Sequence, residues 1–204
     1  MGSDSLKPLG SLTQPDSRSR FLALSLERHY EHINGLALDP MTPEEIRRHF
    51  DVARNLLLFS WFVYEFIPSA ELHAYSSVEF ALRLRLMGES PADKVPGLKK
   101  LLERALELGW IADEGFQQYQ RIERGRKESE ALWAEIAGSS LSHPERTDPQ
   151  AYAKIVIEGM PYFRNEFAHG TSYITPHGYL TLELCRDLID QIFGQPAGPG
   201  GPGD

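Results

Sequence analysis

Apolar positions recur along most of the chain at three- and four-residue spacing, as they do in helices with one buried face. No stretch of any length alternates apolar and polar residues as a half-buried strand would. Over 21–33 the apolar set is Phe21, Leu22, Leu24, Leu26 and Tyr30, which predicts a short helix. Thr42 has the chemistry of an N-cap, with Pro43 at the first helical position and Glu44 and Glu45 in the first turn. The helix that follows, over about 43–66, is apolar at Ile46, Phe50, Ala53, Leu57, Trp61 and Tyr64, and Pro68 has to kink or break it. A second long helix is expected over 69–87, with Leu72, Tyr75, Ser76, Phe80, Leu82 and Leu86 facing inward.

Pro96 and Gly97 restart the chain into a helix bearing Leu98, Leu101, Leu102, Ala105 and Leu108, which ends at Gly109 or at Asp113-Glu114-Gly115. The segment 116–136 is charged and amphipathic, and 138–149 is a loop rich in Gly, Ser and Pro, the expected mobile element. Asp148 is placed to cap a helix running through Tyr152, Ile155, Val156 and Met160 to about Ala168, bent or interrupted at Pro161 and stopped by Gly170. After Pro176 a last helix over 179–193 presents Leu182, Leu184, Leu188, Ile189 and Ile192. Helices joined by short loops imply an all-α bundle of five to six helices over 21–194. Residues 1–20 read as a flexible leader and 195–204, mostly Gly and Pro, as a disordered tail.

No apolar run approaches the roughly 20 residues that span a bilayer, the first residues lack the order of a secretory signal, and a single cysteine, Cys185, excludes an internal disulfide. A cytoplasmic protein without membrane contact is expected. The formal net charge of −8 argues against broad electrostatic capture of nucleic acid, so such a partner has to be engaged locally. The basic runs Arg83 and Arg85, Lys99 and Lys100, and Arg121 to Lys127 read as solvated helix faces.

The chemistry-bearing stretch is Arg164-Asn165-Glu166-Phe167-Ala168-His169. Five positions on an unbroken helix turn Arg164 and His169 about 140° apart, so they share a site within one chain only if the helix ends near Ala168 and His169 turns back. An imidazole at a helix C-terminus sits against the negative end of the dipole, and a fixed guanidinium beside it suits phosphodiester chemistry. The histidine moves protons while the arginine holds the phosphate and its developing charge.

The residues 163–170 resemble the HEPN signature: an arginine, a polar residue that is often asparagine, then a histidine four to six places beyond the arginine. Residues 75–83 resemble the helix that precedes this motif in many HEPN-like proteins, 98–111 resemble its connecting helix, and the resemblance extends over about 43–193. It implies a HEPN-like bundle that dimerises, with motif residues of two protomers meeting in one cleft, and metal-independent cleavage of RNA through the ribose 2′-hydroxyl. On that reading His169 is the general acid or base, Arg164 the phosphate clamp, Asn165 a group that orients one of them or bonds the phosphate, and Glu79 an acid lining the cleft. The setting implied is bacterial defence, stress or a toxin–antitoxin pair, with RNA, a second copy and an antitoxin or other partner protein as candidate partners, and no cofactor or metal.

The plainer alternative is a non-catalytic helical module, in which Arg164 caps carbonyls or pairs with Glu158 or Glu166, His169 closes the helix, and Glu79 pairs with Arg83 one turn later. His29, His32, His49 and His73 match no zinc spacing and read as packing. The aromatics Phe59, Trp61, Phe62, Tyr64 and Phe66 read as core and interface, any outward-facing ones favouring a dimer.

Overall fold

Seven α-helices and three short 3₁₀ turns make up the computed structural model, which describes residues 6–87, 96–137, 148–170 and 176–194. Among these residues there is no strand, and no helix is long and apolar enough to cross a membrane. The helices are α1 (Leu26–Asn34), α2 (Glu44–Phe59), α3 (Phe66–Met87), α4 (Leu98–Glu107), α5 (Gln117–Ala137), α6 (Ala151–Ala168) and α7 (Gly178–Gly194), two more than the lower bound expected and one more than the upper. The long loop expected over 138–149 falls almost wholly outside the described residues, as do the 195–204 tail and the first five residues of the leader.

α3 packs against α2, α4, α6 and α7, and α6 also packs on α4. The inward set expected for α2 is the one observed: Ile46, Phe50, Ala53 and Leu57 are all buried. α3 differs. Only Tyr75 and Leu82 of its expected inward residues are buried, whereas Phe80 is 37% exposed. The face that is turned in carries Ala70, Ala74, Val78 and Ala81, because small residues let neighbouring helices approach α3 closely on several sides. α7 is buried nearly all round, including Glu183, Arg186 and Asp187.

Pro68 does not separate two helices. α2 already ends at Phe59, a turn carries 60–65, and Pro68 stands in the first turn of α3, where the amide it lacks has no helical partner anyway. Three of the five aromatics expected along one long helix therefore lie in this turn, with Trp61 and Tyr64 buried and Phe59 and Phe66 partly exposed. Residues expected to form a leader pack here. The Asp16 amide donates to the Trp61 carbonyl at 2.9 Å, Lys7 Nζ donates to the Phe62 carbonyl at 2.7 Å, and Arg18 lies over the Tyr64 ring and pairs with Glu65. The helix expected from Phe21 begins only at Leu26, where Ser25 caps the Arg28 amide; Leu24 is exposed. Thr42 is not a side-chain cap: its hydroxyl is buried without a partner, and Pro43 occupies the capping position.

α4 ends in a Schellman turn at Gly109, φ +72°, with the Trp110 amide bonded to the Ala105 carbonyl and the Gly109 amide to that of Leu106. α6 begins with Gln150 at the cap position and no local side chain on its free amides. Asp148 bonds the Gln150 amide and Lys154 instead. Asp113, fully buried in a 3₁₀ turn, serves as the cap from outside, accepting from the amides of Tyr152 at 3.2 Å and Ala153 at 2.8 Å. α6 then runs through Pro161 without a stop, which leaves the Ile157 carbonyl without its helical donor.

Candidate functional site

α3 and α6 bring together two of the four residues singled out in the sequence. Glu79, on α3, accepts from Arg164 Nη2 of α6 at 3.4 Å and from Arg83 one turn further along its own helix. The carboxylate is 12% exposed and the Arg164 side chain 35%, so this pair is shielded while the guanidinium still reaches solvent. Two guanidiniums on one carboxylate leave a net positive charge at the junction. The Nε atoms of both arginines are buried without a partner. Arg164 Nη1 also donates to Asn165 Oδ1 at 3.3 Å, a short tether on the exposed side of the helix.

His169 lies apart from this cluster. It is the C-cap of α6, with φ −85° and ψ −2°, and its amide still bonds the Asn165 carbonyl at 3.0 Å. The left-handed turn falls at Gly170, φ +83°, one residue too late to swing the imidazole back towards Arg164. The helical sweep thus continues through His169 and keeps it about 140° from Arg164 around the axis. Asn165, Glu166 and His169 are all exposed. The chain therefore presents two separated groups, a guanidinium anchored on Glu79 and an imidazole at the open end of α6.

The expected pairing of Glu79 with Arg83 is present, and Glu79 rather than Glu158 or Glu166 takes Arg164. The basic runs are largely engaged within the fold. Arg85 lies 4.4 Å over the Trp110 ring, Arg121 pairs with the buried Glu183, and Arg126 bridges Glu123 and Glu130. His49 and His73 stack with ring centroids 4.2 Å apart, and His29 Nε2 lies 2.9 Å from the Leu57 carbonyl. Burial holds all three imidazoles below the ordinary range. No group of three or more potential metal ligands occurs among the described residues.

Sequence reasoning missed a cavity of about 660 Å³ between α3, α6 and α7, bordered by Tyr162, Phe163 and Phe167 of α6. Its floor includes Glu71, 3% exposed, whose carboxylate accepts from the Thr181 hydroxyl at 2.7 Å. Burial, with a smaller opposing effect of that bond, pushes the carboxyl up to about 7. A signal was present, since Glu71 precedes Tyr75 and Val78 at helical spacing and so shares their buried face. Comparison of the chain with protein-family models, with curated proteins and with solved structures finds no match.

Proposed function

We propose that this chain is a HEPN-like RNA-binding domain, and that metal-independent RNA cleavage is assembled between Arg164 and His169 of two copies. The observation that carries this reading is the end of α6, where an anchored but solvent-reaching Arg164, an exposed Asn165 and an exposed His169 lie within six residues. Their angular separation within one chain is what makes a second copy necessary. Arg164 would hold a phosphate oxygen, while His169 of the facing subunit moves the proton of the ribose 2′-hydroxyl or of the leaving 5′-oxygen. The products are a 2′,3′-cyclic phosphate and a 5′-hydroxyl, and no cofactor enters the balance.

A second reading has its own support. The Glu79 carboxylate between Arg83 and Arg164 also works as a tie between α3 and α6, and Ile155, Tyr162 and Phe163 on α6 are at least half exposed. A non-catalytic module that docks a partner protein would use the motif in this way.

Mixed RNA incubated with the protein in chelator, with fragment ends analysed for cyclic phosphate, separates the two. Cleavage that is lost in Arg164→Ala and in His169→Ala, and regained when the two variants are mixed, supports a composite site, because one cleft of the mixed dimer regains both groups. Intact RNA with a dimeric protein favours the module, and a monomer in sedimentation at micromolar concentration removes the shared cleft altogether.

A further inference from the structure

The cavity beside α6 has walls and charge unsuited to a phosphate. Among the described residues no lysine or arginine lines it, while Tyr75, Tyr162, Phe163 and Phe167 give it an aromatic wall. It opens to solvent where Tyr162 is 62% exposed and closes inward on Tyr75 and Glu71, which are nearly fully buried. Three buried acids border it, and two are already matched: Glu183 by Arg121, and Asp187 by the neighbouring Arg186. Glu71 differs, because the Thr181 hydroxyl is its one hydrogen-bond partner among the described residues and it makes no ion pair among them, although His177 also borders the cavity. A carboxylate taken out of water without a counter-charge is costly, and aromatic faces attract a cation held over them.

We propose that this cavity is a binding site for a small organic cation, an amine carrying an apolar or aromatic body. The ammonium would pair with Glu71 at the floor and the body would lie against Tyr162, Phe163 and Phe167, with the polar anchor deep and the apolar surface outward. Burial that raises the Glu71 carboxyl to about 7 agrees with this, since a ligand ammonium supplies the counter-charge that the fold withholds. The site is independent of the RNA reading: it lies on the flank of α6 away from Arg164, and its ligand carries the opposite charge to a phosphodiester.

The probe is 2-phenylethylamine, titrated into the full-length protein by calorimetry and by amide chemical shifts, with 3-phenylpropanoate as the anion of similar shape. Saturable binding of the amine is expected, with the largest shifts at Tyr162, Phe163 and Leu180, and the anion should bind at least about tenfold more weakly. Glu71→Gln should weaken the amine by about tenfold while leaving the anion unaffected or improved. Tyr162→Ala, at an exposed position that the core does not need, should weaken it by about threefold and serves as the test if Glu71→Gln does not fold. The proposal is overturned if the amine gives no saturable shift up to ~10 mM. Equal binding of the anion, or an amine affinity indifferent to whichever of these substitutions folds, overturns it as well.

Discussion

Replacing Asp113 by alanine should loosen the start of the helix that carries the Arg164 motif. Asp113 is fully buried and its carboxylate accepts from the amides of Tyr152 and Ala153, the second and third residues of α6. These are the amides an ordinary N-cap side chain would satisfy, and Gln150 at the cap position offers none. An exposed cap is worth about 1 kcal/mol, but a bond from a charged acceptor is worth about 1.5–3 kcal/mol and a buried amide left bare adds to the loss. The Ala153 bond at 2.8 Å is buried, so its loss should count nearly in full, while the longer Tyr152 bond should count for less. Asp113→Ala should therefore cost about 3 kcal/mol in urea unfolding followed by far-ultraviolet circular dichroism, and Asp113→Asn, which keeps one acceptor, about half of that. Hydrogen exchange should show lost protection concentrated at Tyr152 and Ala153. An alanine variant within about 0.5 kcal/mol of the parent, with those amides still protected, would refute the capping role.

Acid and base should act on the fold through different groups. His29, His49 and His73 are held below their ordinary 6.5 by burial, so their contribution is complete above that value and is lost as the pH falls below it. Glu71 runs the other way: its carboxyl, ordinarily near 4.5, is raised to about 7, so it favours the fold fully below 4.5 and that contribution is lost as the pH climbs through 7. In pH-dependent urea melts Glu71→Gln should be more stable than the parent above pH 7, by up to about 3 kcal/mol, and should lose stability more steeply towards acid; a parallel pair of curves would contradict this. Gly178→Ala should cost about 1–3 kcal/mol by chemical denaturation, because its Cβ would stand 2.8 Å from Leu57 Cδ1 and 3.0 Å from Ile67 Cγ2 in a filled core; a neutral effect would mean that α7 shifts freely. Cys185 is fully buried with its thiol raised, so an aromatic disulfide reagent should label it only at the rate of global unfolding, and fast labelling in native buffer would show an opening that the packing does not suggest.

What the chain determined on its own is what local geometry encodes. The three- and four-residue spacing of α2 and α4 fixed their buried faces, and Gly109 and Gly170 mark helix ends because a left-handed residue without a Cβ is needed there. The motif at the end of α6 was equally visible, as was the pairing of Glu79 with Arg83, since both lie within a turn or two of sequence. Tertiary structure decided the rest, because it turns on partners distant in sequence. Asp113 caps a helix about forty residues away. Glu183 is buried on α7 because Arg121 of α5 reaches it, and Arg164 is anchored by Glu79 across 85 positions. Spacing along α3 could not show which side faces in when four helices pack around it, and alanines, silent in an apolar pattern, turned out to line that side. Nor could it show that His169 completes the helix before the chain turns: one residue's difference in where the backbone goes left-handed places the imidazole away from the guanidinium.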